Sequence, residues 1–207
     1  MRTDKYTSEA ICKCMGLPSF EADPACCNVP EAIRLLLMPS FHPEVCLTFV
    51  EGKVSVVCAR FQIWRQFEPR PSLTDRAEGT IPAATFAQLR SSMVPVTRPG
   101  AVPGIVIDGM PSDLLHFQQG SVVLWTGGNP GAKGDFSAFV TLALVSAWEH
   151  ISSSYCRNAL AEAAEYVGKR LPREQEPQRK PTVETMVLGL PEDREQLLDA
   201  LRKHHDG

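Results

Sequence analysis

The sequence predicts an α+β fold: a mainly antiparallel sheet built from two hairpins, with covering helices, and a further helix beyond a linker. Three observations carry the prediction. Residues 45–64 hold two alternating runs around EGK, residues 114–125 hold two more around QG, and residues 135–151 carry apolar side chains at helical spacing. The runs of one period are not interleaved with helices in the manner of a doubly wound fold.

The elements follow in order. Residues 1–30 mix polar residues, GLPS, ADPACCNVP and four cysteines with no sustained period, and read as an irregular extension. The core, residues 31–171, opens with IRLLLM, whose apolar run fits a buried strand or a short helix equally well. In VCLTFV, Val45, Leu47 and Phe49 share one face and Cys46, Thr48 and Val50 the other. Glycine in EGK accepts the backbone of a turn, and VSVVCARFQIW returns with Ala59, Phe61 and Ile63 inward and Arg60 and Gln62 outward. Two prolines and mixed charges make residues 67–79 a surface loop. Pro82 then starts a helix with Phe86, Leu89 and Met93 on one stripe.

The second hairpin is expected to run from GIVID through GMPSD into LLHFQQGSVVLW. A two-residue turn at Gln119-Gly120 sets Phe117 against Val122, Leu115 against Leu124 and His116 against Val123. Asp135 is the expected N-cap of a helix whose stripe is Phe136, Phe139, Val140, Ala143, Leu144, Ala147, Trp148 and Ile151. Ser152 to Ser154 break or bend it before a second helix. A linker at 172–182 leads to a C-terminal helical segment, 183–207, in which Leu197, Leu198 and Leu201 form a narrow stripe.

Composition restricts function. The chain has 207 residues, 43% of them hydrophobic, and a formal net charge of −3, so it has room for a core and no overall basic field for nucleic acid. The basic run KRLPREQEPQRK is interleaved with glutamate and proline and reads as a solvated linker. The longest apolar run, residues 138–148, falls well short of the ~20 residues that span a bilayer. With no apolar leader pattern at the N-terminus, the expected compartment is the cytoplasm, where cysteines stay reduced.

The glycine-rich loop SVVLWTGGNPGAKGDFSAF invites comparison with a phosphate cradle. A Walker A loop ends in Gly-Lys-Ser/Thr, so that backbone N–H groups wrap phosphates and a hydroxyl holds magnesium. Here Ala132 precedes Lys133, and Gly134 and Asp135 follow it, which removes the hydroxyl and adds a negative charge. The loop is therefore read as a connection from the sheet to its covering helix, and no cofactor is expected.

Four cysteines, Cys12, Cys14, Cys26 and Cys27, are weak candidate metal ligands, because zinc ligand pairs usually have two to four residues between them, whereas Cys12 and Cys14 have one and Cys26 and Cys27 none. No Gly-x-Ser-x-Gly elbow or His-Glu-x-x-His motif is present, and no catalytic residue is assigned. Asp108, Asp113, His116 and Trp125 together suggest a polar recognition patch with an aromatic anchor, and Leu197 and Leu201 a docking stripe. The leading expectation is a non-enzymatic domain that binds another protein through a sheet face or its terminal helix. The alternatives are a small-molecule enzyme using Asp108, Asp113 and His116, and a zinc- or redox-linked regulator using the N-terminal cysteines. The pattern is reminiscent of small bacterial domains that bind one partner, such as immunity or adaptor proteins, in architecture only. Oligomeric state is left open.

Overall fold

A computed structural model describes residues 8–19, 22–64, 70–93 and 109–175. The chain divides into two compact units, Met1–Gln175 and Glu176–Gly207. Within the first unit the fold is α+β, as expected. Six antiparallel strands are ordered β4-β3-β2-β1-β5-β6 and flanked by helices. The strands are β1 Glu31–Leu37, β2 Val45–Val50, β3 Lys53–Ala59, β4 Thr74–Thr80, β5 Ser112–Gln118 and β6 Ser121–Gly128. The helices are α1 Ser8–Cys14, α2 Pro24–Cys27, α3 Ala83–Ser91, α4 Asp135–His150 and α5 Ser154–Glu165.

The ambiguous run IRLLLM is strand β1, held between β2 and β5. Its unbroken hydrophobicity has a simple cause: both faces of the sheet are covered. On one face Ile33, Leu35 and Leu37 pack with Val45, Leu47, Phe49 and the apolar stripes of α3, α4 and α5. On the other, Ala32, Leu36, Cys46, Leu115 and Phe117 pack against Ile11, Cys12, Met15 and Cys26. The N-terminal residues are thus not irregular throughout. They carry two short helices whose apolar side chains cover a sheet face, and each such fully buried side chain stabilises by roughly 1.5–3 kcal/mol.

Anchoring that cover is a buried ion pair. Arg34, on β1, is 1% exposed and bonds Asp23, while its Nε donates to Thr48 Oγ1 at 3.2 Å. Asp23 is also the N-cap of α2 and accepts from Ala25 N at 2.9 Å.

Four further details differ from the sequence reading. Residues 74–80 form strand β4 and not a loop, because their backbone completes the ladder with β3 from Lys53↔Thr80 to Ala59↔Thr74. Strand β3 ends at Ala59, so Phe61 is 63% exposed while Ile63 is buried. A bulge between His116 and Phe117 shifts the second hairpin: Phe117 does face Val122, but His116 faces Leu124 and Leu115 faces Trp125. Val123 is the extra residue. Finally, Asp135 is the first residue of α4, and Gly134, at φ 107°, is its cap. The turn itself matches expectation, with Gln119 at φ 51° and Gly120 at φ 75°, the left-handed pair of a type I′ hairpin. Segment GIVID and the C-terminal helical segment lie outside the described residues.

Candidate functional site

The two edges of the sheet have opposite characters. Strand β4, TDRAEGT, carries charges, and they are engaged: Asp75 accepts from Arg60 at 2.7 Å, Glu78 pairs with Lys53 at 2.8 Å, and Arg76 Nη2 donates to Gly16 O at 2.8 Å. Charged side chains on an edge discourage further strand pairing. Strand β6, SVVLWTGG, has no charge along its eight residues. Val123 is 53% exposed and Trp125 is 55% exposed, on a strand that closes its side of the sheet among the described residues. An apolar, uncharged edge is a template for another chain.

The bulge at Val123 lies beside a surface cavity of about 530 Å³, lined by Pro30, Glu31, Gln118, Gln119, Ser121 and Val123. A second cavity, about 450 Å³, adjoins it through Pro30 and Glu31 and is bounded by Val50, Phe86 and Arg90. Between them the Glu31 carboxylate is held from two sides. His116 Nε2 lies 2.7 Å from Oε1, and Arg90 Nη1 donates to Oε2 at 3.3 Å. His116 is 8% exposed, so its ring is a buried support for the carboxylate that the cavities expose.

The structure therefore redistributes the expected patch. Asp113 and His116 are three residues apart on β5 and project to opposite faces. His116 pairs across from Ile33, on the face of α3 to α5, whereas Asp113 pairs with Leu36, on the face of the N-terminal cover. Asp113 and His116 share no site for acid–base work. Asp113 instead sits against β6: a Cβ on Gly127 would lie 2.1 Å from Asp113 Oδ1, which explains the glycine there. Trp125 stands on the same side as Asp113, cross-strand from Leu115. Asp108, Leu197 and Leu201 lie outside the described residues.

The N-terminal cysteines do not converge. Cys12 and Cys26 are buried in the same apolar cluster as Cys46 of β2, and Cys14 and Cys27 are only partly buried. Burial pushes the Cys26 thiol up to about 12. Among the described residues no group of three or more His, Cys, Asp or Glu side chains is placed to hold a metal ion. Likewise, no described helix is long and apolar enough to cross a membrane.

Two functional-looking groups lie outside the patch that the sequence suggests. Arg34 is a single cation inside an apolar run. Glu44 is fully buried and accepts the N–H groups of Ile63 and Trp64 at 2.8 and 2.6 Å, which fixes the chain after β3. Both stabilise the fold and neither faces a cavity described above. No family model, curated protein or solved structure matches this chain.

Proposed function

We propose that the chain is a non-enzymatic protein-binding domain that takes up an extended segment of another polypeptide along β6. The observation that carries this reading is the uncharged edge with Val123 and Trp125 half exposed, set against a charged opposite edge. In strand addition, main-chain hydrogen bonds supply affinity and side-chain pockets supply selectivity. The segment lies along residues 121–124, and Trp125 provides the rigid aromatic contact typical of an interface anchor. The cavity beside Val123 presents a carboxylate and two side-chain amides, so it favours a partner side chain rich in hydrogen-bond donors.

Affinity capture from the protein's own source tests the proposal with two variants. Val123→Lys places a charge on the candidate edge, and Leu73→Asp alters an exposed apolar residue, 68% accessible, on the far side of the sheet. The reading predicts a stoichiometric polypeptide retained by wild type and Leu73→Asp and lost from Val123→Lys. Retention by all three would refute it.

A further inference from the structure

The two surface cavities meet at one carboxylate. Glu31 opens β1 and borders both the 530 Å³ cavity along β5 and β6 and the 450 Å³ cavity along α3. Its side chain is 15% exposed, nearly enclosed and yet reachable from solvent. His116 fixes Oε1 at 2.7 Å; an ionised carboxylate only accepts, so the ring presents its Nε2–H there. Arg90 of α3 reaches Oε2 at 3.3 Å with a side chain that is 54% exposed. A carboxylate offers roughly four acceptor positions, and these two contacts leave the others for a ligand.

The lining of the larger cavity decides what those positions take. Among the described residues along it Glu31 alone is charged, while Gln118 and Gln119 add amide oxygens, Ser121 a hydroxyl and Val123 an apolar wall. Arg90 stays on the wall of the smaller cavity. A cation entering the larger one therefore meets a negative charge among neutral acceptors, and an anion meets repulsion. A guanidinium suits the place better than an ammonium. It is more weakly hydrated, and its five donors are fixed in a plane that can serve several acceptors at once. The methylenes attached to it can lie on Val123.

We propose that this cavity is a binding site for an alkylguanidinium group, with Glu31 the charged acceptor and His116 its positioning residue. The group belongs either to a free small molecule or to an arginine side chain of a polypeptide, both of which present the same head to Glu31. The site rests on the cavity and not on strand uptake along β6, so either reading can fail alone.

The test titrates isotopically labelled full-length protein at low ionic strength with ethylguanidinium and with acetyl-Gly-Arg-Gly-amide, following amide chemical shifts. Saturable shifts at Glu31 and at residues 118–123 are expected. Given by both probes, they identify an arginine side chain as the source; given by ethylguanidinium alone, they identify a small molecule. Ethylurea, which has the shape without the charge, is expected to move nothing. Glu31→Gln keeps an oxygen for His116 and discards the charge, and should weaken ethylguanidinium about tenfold or more. Arg90→Ala removes a competing cation and should tighten it roughly two- to fivefold, a gain that a merely structural Glu31 would not give. Absence of saturable shifts with either probe would overturn the proposal. So would equal binding of ethylurea or n-butylammonium, or unchanged binding by folded Glu31→Gln protein. The wild-type titrations decide the matter even where that variant fails to fold.

Discussion

Replacing Asp23 should unfasten the N-terminal cover from the sheet, and replacing Arg34 as well should restore most of what is lost. The side chains of Arg34 and Asp23 are 1% and 7% exposed, so the pair has little water to fall back on. Removing one member of a buried pair costs about 3–5 kcal/mol, because the other charge stays buried. Asp23→Ala also removes the α2 cap, worth about 1 kcal/mol, for a total near 4–6 kcal/mol. Against a typical domain stability of about 5–15 kcal/mol, that is a large share. Asp23→Asn keeps a capping oxygen and discards the charge, and should lose about 3–5 kcal/mol alone. In Asp23→Ala/Arg34→Met no charge remains to be stranded, so stability should return to within about 1–2 kcal/mol of wild type, the cap being the residual loss. Burial alone would lower the proton affinity of Arg34, and the hydrogen bond and charge of Asp23 oppose that. The assay is urea unfolding followed by tryptophan fluorescence at neutral pH. Asp23→Asn within about 1 kcal/mol of wild type, or a double variant no more stable than Asp23→Ala, would refute the reasoning.

Other outcomes follow from single sites. Burial raises the Glu44 carboxyl above its ordinary 4.5, opposed by the N–H groups of Trp64, Glu44 itself and Ile63. A raised carboxyl stabilises below its unfolded value and loses that contribution as pH climbs through the folded one. The wild-type urea midpoint, compared with that of Glu44→Gln, should therefore decline as pH rises from 4.5, and a flat difference would contradict this. Gly79→Ala would set a Cβ 2.0 Å from His150 O, so overpacking should cost about 1–3 kcal/mol by thermal or urea unfolding. Ser153→Ala removes the α5 cap and should cost about 1 kcal/mol in the same assay. Trp125→Ala should leave stability within about 0.5 kcal/mol and weaken a purified partner roughly thirtyfold, read by titration calorimetry.

Much of the fold was legible because hairpin turns and helix stripes are local signals. EGK and QG each sit between runs of period two, and the α4 stripe from Phe136 to Ala147 is buried as its spacing implies. What escaped depends on partners far away in sequence. TDRAEGT has poor strand composition and becomes β4 only because β3 offers it a ladder. The short helices of residues 8–27 lack a sustained period, and their role appears only once Ile11, Met15 and Cys26 meet the second sheet face. The bulge at Val123 defeats a strict two-residue register. Of the expected patch, Trp125 emerges exposed, while His116 turns inward to Glu31, a residue 85 positions earlier that no local pattern connects to it. The charge-free run from Ser121 to Gly128 was the available signal for the edge, visible beside the charged one at 74–80.

The most direct measurement is amide hydrogen exchange, read by mass spectrometry, on the free chain and on the complex captured from its own source. Partner binding along β6 predicts slowed exchange at residues 121–124, with the β4 edge unchanged. Unchanged exchange across β6, with protection appearing elsewhere on the chain, would contradict the account.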